Sequence, residues 1–116
     1  MQSVELYPQL VRRFDLPVGK GAWLQVVQPD GPAEKAGLRG GRGEVRFQAR
    51  SFLEGGDIIT RIGDRRIDTP DDLWEAVQLF DPGQKVTVEV WRDGKQRELE
   101  LELGERPLNP PRASTG

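Results

Sequence analysis

Residues 31–38 read Gly-Pro-Ala-Glu-Lys-Ala-Gly-Leu, and residues 55–63 read Gly-Gly-Asp-Ile-Ile-Thr-Arg-Ile-Gly. The reading of these two stretches decides the fold. Pro32 suits the first position of a short helix, where its missing N–H has no intrahelical partner in any case. Gly37 falls where such a helix stops, at a position that favours left-handed backbone. The second stretch opens with two glycines and an acid. It then runs as an apolar strand to a turn at Gly63-Asp64 and a short return through Ile67.

Downstream, Thr69-Pro70-Asp71-Asp72 starts a helix. Thr69 can cap it, Pro70 fits its first position, and two acids favour its positive end. The helix is expected to run to Phe80 and stop at Asp81-Pro82-Gly83. Leu73, Ala76, Val77 and Phe80 recur at i, i+3, i+4 and i+7, the core-facing pattern. Trp74 lies off that stripe, about 100° around from Leu73, on one side with Val77 and Gln78. It either covers a core edge or lines a groove. A final hairpin follows, with Val86, Val88 and Val90 alternating, a tight turn at Asp93-Gly94, and Leu99, Leu101 and Leu103 alternating. Each strand turns one face to the core and one to water. Residues 105–116 hold three prolines and little apolar content, which predicts a flexible tail or linker after a domain spanning 1–104.

Upstream, Ala22–Val27 is apolar enough to be buried on both faces. Pro8 starts a short helix through Phe14, with Leu10, Val11 and Phe14 at helical spacing. Gln2–Leu6 alternates weakly and fits an edge strand. Residues 39–54 look inserted. Val45 and Phe47 alternate there, and Ser51 and Phe52 follow, which predicts a small peripheral hairpin. A solvated glycine-arginine loop is the alternative.

The 116 residues make one small domain with a modest core. The net charge is −2, with acids and bases interspersed, so no basic surface points to nucleic acid. No stretch is long and apolar enough to span a bilayer, and no membrane contact is expected. Met1–Leu10 carries polar residues and an acid, unlike a secretory signal; the chain reads as a piece of a larger protein. Cysteine and histidine are both absent. Disulfides, thiol catalysis and a Ser-His-Asp triad within these residues are therefore excluded. Asp71 and Asp72 are adjacent and do not face each other on a helix. Gly40-Gly41-Arg42-Gly43 lacks the lysine and Ser/Thr of a phosphate loop. Ser3, Ser51 and Ser114 have no histidine to activate them. The carboxylates lack the spacing of a metal loop. No catalytic residue, metal ligand or cofactor site is expected.

Taken in order, the Gly-Pro helix, the Gly-Gly-Asp strand and the capped helix resemble the middle of a bacterial PDZ domain. The resemblance is to the kind found in HtrA-type serine proteases and spans roughly Leu6 to Gly104. It implies a mixed α/β (α+β) fold: a partly open antiparallel sandwich of five or six strands, with one long helix and one or two short ones. The topology would be the bacterial, circularly permuted one, in which the groove strand comes first. It implies non-catalytic recognition of C-terminal or unfolded peptide by strand addition. Met1, Gln2, Ser3 and Val4 would form the pairing edge, and Trp74, Val77 and Gln78 the helix wall. The partners implied are such peptides and an adjoining protease domain, which the module would supply with substrate or regulate in protein quality control, in the cell envelope or periplasm. The alternatives are an assembly module that docks neighbouring domains or subunits, or a PDZ module of another protease or a secretion protein. One element departs from the pattern. The aromatic-Leu/Ile-Gly-Val/Ile loop that holds the peptide carboxylate in HtrA-type domains is not present, and the chain is expected to begin just after it.

Overall fold

In the computed structural model, residues 1–81 and 83–103 are described; the expected tail at 105–116 lies outside them. The elements run β1 (Gln2–Glu5), α1 (Pro8–Phe14), β2 (Ala22–Val26), α2 (Pro32–Lys35), β3 (Gly43–Phe47), β4 (Arg50–Glu54), β5 (Ile58–Ile62), β6 (Arg65–Arg66), α3 (Pro70–Gln78), β7 (Lys85–Arg92) and β8 (Lys95–Glu102). Six strands form one antiparallel sheet in the order β1-β2-β5-β7-β8, with β6 also on β5; β3 and β4 form a separate hairpin. With α1, α2 and α3 this is the expected mixed, mostly antiparallel fold.

Local chemistry accounts for the boundaries. The Thr69 hydroxyl accepts a hydrogen bond from the Asp72 N–H at 3.1 Å, and the Asp72 carboxylate accepts one from the Asp68 N–H at 3.0 Å. Two otherwise orphaned donors at the start of α3 are thereby satisfied. Gly37 ends the α2 turn at φ 97°, where a side chain would be strained. At Gly56 a Cβ would stand 2.1 Å from the Leu24 carbonyl oxygen, so only glycine lets β2 and the start of β5 approach this closely.

The sheet separates two cores. On one face Ala22, Leu24, Ile59, Ile62, Val88 and Val90 pack with Leu73 and Ala76 of α3. On the other, Trp23 and Ile58 pack with Leu6, Leu10 and Phe52. Trp23 and Leu24 of β2, and Ile58 and Ile59 of β5, thus enter opposite cores, as a period of two requires; a register shift between Ile59 and Arg61 returns Ile62 to the first core.

Phe52 overturns the expectation of a peripheral hairpin. It is 1% exposed, with its ring 6.1 Å from Trp23 and 5.9 Å from Phe14 between centroids. The hairpin is also hydrogen-bonded to β2 through a side chain. The Gln25 carboxamide donates to the Leu53 carbonyl at 2.9 Å and accepts from the Leu53 N–H at 2.6 Å. Gln25 therefore acts as one more peptide unit and carries the sheet's bonding out to β4. The hairpin is the lid of the second core, because α1 alone does not cover the Trp23 indole.

One buried ion pair joins the remaining loops. The Asp57 carboxylate is fully buried and takes two bonds from the Arg92 guanidinium, both at 2.7 Å, and one from the Arg39 N–H at 3.0 Å. Arg92 also donates to the Gly37 carbonyl at 2.7 Å. This bidentate pair is fully engaged, the condition under which a buried pair is tolerated. The hydrogen bonds that Arg92 donates to Asp57 hold its pKa above the ordinary value against the opposing effect of burial, with Coulombic support from Asp57 and Asp93. A raised pKa on a cation gives stabilisation that is complete below its ordinary pKa, so Arg92 loses its charge, and its part in the pair, only in strong alkali.

The role of the hairpin gives a direct prediction. Phe52→Ala should destabilise the domain by about 3–5 kcal/mol, the range for removing a buried phenylalanine ring. Glu44→Ala, on the exposed side of the same hairpin, should stay within about 0.5 kcal/mol of the parent. Urea unfolding measures both, and equally small effects would return the hairpin to the periphery.

Candidate functional site

β1 pairs with β2 along one edge and with no strand along the other among the described residues. An open edge presents a row of unpaired N–H and C=O groups. The register decides where its side chains point. Ser3 lies opposite Leu24, Val4 opposite Trp23 and Glu5 opposite Ala22. Directly opposed residues share a face. Ser3 and Glu5 therefore project on the side of the first core, where α3 lies, and Val4 projects into the second core, where it packs. The register shifts between Gln2 and Ser3, and Met1 and Gln2 are exposed at the open start of the strand.

α3 packs against β1 and β2. Leu73 and Ala76 are buried, and Asp71, Glu75 and Leu79 are exposed on the opposite side. Trp74, Val77 and Gln78 are half-buried on one flank between them, as their angular positions require. Val77 also touches the first core. Two polar atoms on this flank stand out. The Trp74 indole Nε1 and the Gln78 Nε2 are buried and have no hydrogen-bond partner. At the end of β1 and the start of α3 lies a cleft of about 760 Å³, lined by Glu5, Tyr7, Lys20, Thr69 and Asp72 among others.

The residues singled out from sequence fall in two groups, Met1–Val4 at the open strand β1 and Trp74, Val77 and Gln78 on one flank of α3, the helix that packs against β1 and β2. Of the strand residues, Val4 has only its backbone to offer on the α3 side. Glu5 was not singled out and belongs to that side. Its face follows from the pairing of β1 with β2, which no local pattern in Gln2–Leu6 reveals. The arrangement offers a backbone edge, an amphipathic wall and unpaired donors. No group of three or more Asp or Glu among the described residues could hold a metal ion, and no described helix is long and apolar enough to cross a membrane.

Comparison with known proteins gives a consistent result. A family model described as PDZ domain matches residues 5–103. A probable periplasmic serine endoprotease DegP-like from Marinomonas sp. (strain MWYL1) is 31% identical over 102 residues, covering 88% of this chain and 19% of that protein. The protein of the same description from Brucella suis biovar 1 (strain 1330) is 32% identical over 88 residues, covering 76% of this chain and 14% of that protein. The chain spans about a fifth or less of the length of the curated relatives it matches. Among solved structures, the HtrA-type protease AlgW with decapeptide superimposes with a TM-score of 0.71 at 27% identity, covering 91% of this chain and 28% of that one.

The division of α3 into a core stripe and a flank can be tested by stability. Leu73→Ala should cost about 2–5 kcal/mol. Trp74→Phe should change stability by less than about 1 kcal/mol in either direction, because the ring area lost is offset by removal of an unpaired buried donor. Thermal unfolding of both variants checks this. A large loss for Trp74→Phe with little for Leu73→Ala would reverse the two faces.

Proposed function

The chain belongs to the PDZ domain family, and we propose that it binds an extended peptide as an additional strand on the open edge of β1, with the Trp74, Val77 and Gln78 flank of α3 as the second wall. The observation that carries this reading is the unpaired edge of β1 beside a helix flank whose buried polar atoms have no partner. In strand addition the main-chain bonds supply affinity largely independent of sequence, and side-chain pockets supply preference. Met1–Val4 contribute backbone to the pairing, and the side chains of Ser3 and Glu5 border the groove. The module itself performs no chemistry. Its matched relatives are DegP-like serine endoproteases described as periplasmic, and the solved neighbour AlgW is an HtrA-type protease with a decapeptide. By that likeness the domain serves a trypsin-like protease in the cell envelope, as substrate tether or as a switch. A switch requires that peptide bind one state of the protease better than the other.

Strand addition makes a prediction that other modes of binding do not. Alternate peptide N–H groups face the pairing edge and alternate ones face away. A set of decapeptides, each N-methylated at one residue, should therefore show affinity losses of roughly 3–10-fold at every second position and little loss between, the size of one net hydrogen bond each. Calorimetry reads the pattern. No binding, or losses without a period of two, would contradict strand addition.

A further inference from the structure

The glycine-arginine run Gly40-Gly41-Arg42-Gly43 has no part in peptide pairing on β1. Its backbone is pinned to the strands around it. The Arg39 N–H donates to the Asp57 carboxylate at 3.0 Å, the Gly41 N–H to the Gln25 carbonyl at 3.0 Å and the Arg42 N–H to the Glu54 carbonyl at 2.9 Å. A Cβ at Gly41 would stand 2.4 Å from the Leu53 carbonyl oxygen, so the chain passes too close to β4 for any other residue. With the end of β2 this run lines a cleft of about 550 Å³. Its apolar lining includes Val26, Val27 and Leu53. Val26 is 42% exposed, one of three large apolar side chains exposed among the described residues. Arg39 and Arg42 are the cations of the cleft, and Glu34 is its one acid. The Glu34 carboxylate already accepts from the Asp30 N–H at 2.8 Å. Both arginines are exposed, and neither enters an ion pair among the described residues. The cleft shares no lining residue with β1 or α3.

We propose that this cleft is a second docking surface, which takes an acidic segment of a partner protein with carboxylate side chains on either side of an apolar one. The proposal is independent of strand addition on β1. An exposed apolar patch rimmed by polar groups marks an interaction site. Two cations without an internal partner set the charge of what docks there, because like charges across an interface are costly and opposite ones steer the encounter. Arginine suits a carboxylate in particular, since its planar fork can donate two parallel hydrogen bonds to one carboxyl group. The pinned backbone holds the rim in place before any partner arrives, which lowers the ordering cost of binding. A lipid surface has the charge but is bound by apolar side chains that protrude into it, whereas Val26, Val27 and Leu53 line a cleft.

The test uses two peptides blocked at both ends, one reading Glu-Leu-Glu-Leu-Glu and one Gln-Leu-Gln-Leu-Gln within the same glycine-serine flanks. Calorimetry gives their affinities, and amide NMR shifts give the place of binding. The Glu peptide should bind roughly fivefold tighter than the Gln peptide, and the difference should shrink as salt rises toward about 0.5 M. Its shifts should centre on Val26, Arg39, Arg42 and Leu53. In the double variant Arg39→Gln, Arg42→Gln, which keeps all three backbone bonds of the run, the ratio of affinities should fall to within about twofold of one. Val26→Ser should weaken both peptides by roughly threefold and leave their ratio unchanged. Failure of the Glu peptide to bind, equal binding of the two peptides, a preference that survives in the double variant, no loss on Val26→Ser, or shifts confined to β1 and α3 overturns the inference and leaves strand addition standing. Binding of phosphatidylglycerol vesicles or inorganic phosphate at these residues in place of the Glu peptide overturns it as well.

Discussion

The arrangement depends on a constraint placed on β2. Its consecutive residues Ala22, Trp23 and Leu24 enter alternate cores and all are buried. A slip of one residue would drive the Trp23 indole into the space of Leu24 and expel Leu24 from the first core, so the register has no nearby alternative. Backbone contacts hold it in place. The Leu24 N–H donates to the Asp57 carbonyl at 2.8 Å, and the glycine at 56 allows the close approach of the two segments there. With β2 fixed, the pairing of β1 is fixed, and with it the set of side chains that face α3. The edge and the side chains proposed to meet peptide thus follow from packing that takes place underneath them.

Buried polar groups on either side of this frame are treated differently. Away from α3, Asp57, Arg92, Gln25 and the backbone of Leu53 are each bonded. A carboxylate so engaged orders the loops at Gly37 and Arg39, and its guanidinium partner keeps its charge at any ordinary pH. On α3, Trp74 and Gln78 keep buried nitrogen atoms without partners. Stability alone would favour apolar side chains of similar shape at both positions.

Much of this was legible in the chain because it depended on neighbours in sequence. Pro8 and Phe14 bound α1, Thr69 and Pro70 open α3, and the Asp93-Gly94 turn has the two positive φ angles of a tight hairpin. Ala22–Gln25 is buried as the composition of Ala22–Val27 implied, whereas Val26 at the end of β2 is exposed. What was not legible depended on distant partners. Phe52 alternates like any hairpin residue, and nothing near it announces that Trp23 and Phe14 lie beneath. Gln25 looks like an ordinary polar residue in an apolar strand until Leu53 is brought beside it. The facing of Val4 and Glu5 required the register of β1 on β2. Trp74 was recognisable as lying off the core stripe, but whether its nitrogen has a partner is a matter of three-dimensional contacts.

The central claim is that the open edge of β1 is the surface on which peptide pairs. Residue-resolved amide hydrogen exchange, with and without saturating decapeptide, tests it most directly. The account predicts that the β1 amides not bonded to β2 slow by about tenfold or more on addition of peptide, while those of β3 and of β8, the other edge of the sheet, are unchanged. Protection appearing on β3 or β8 with none on β1 would contradict it.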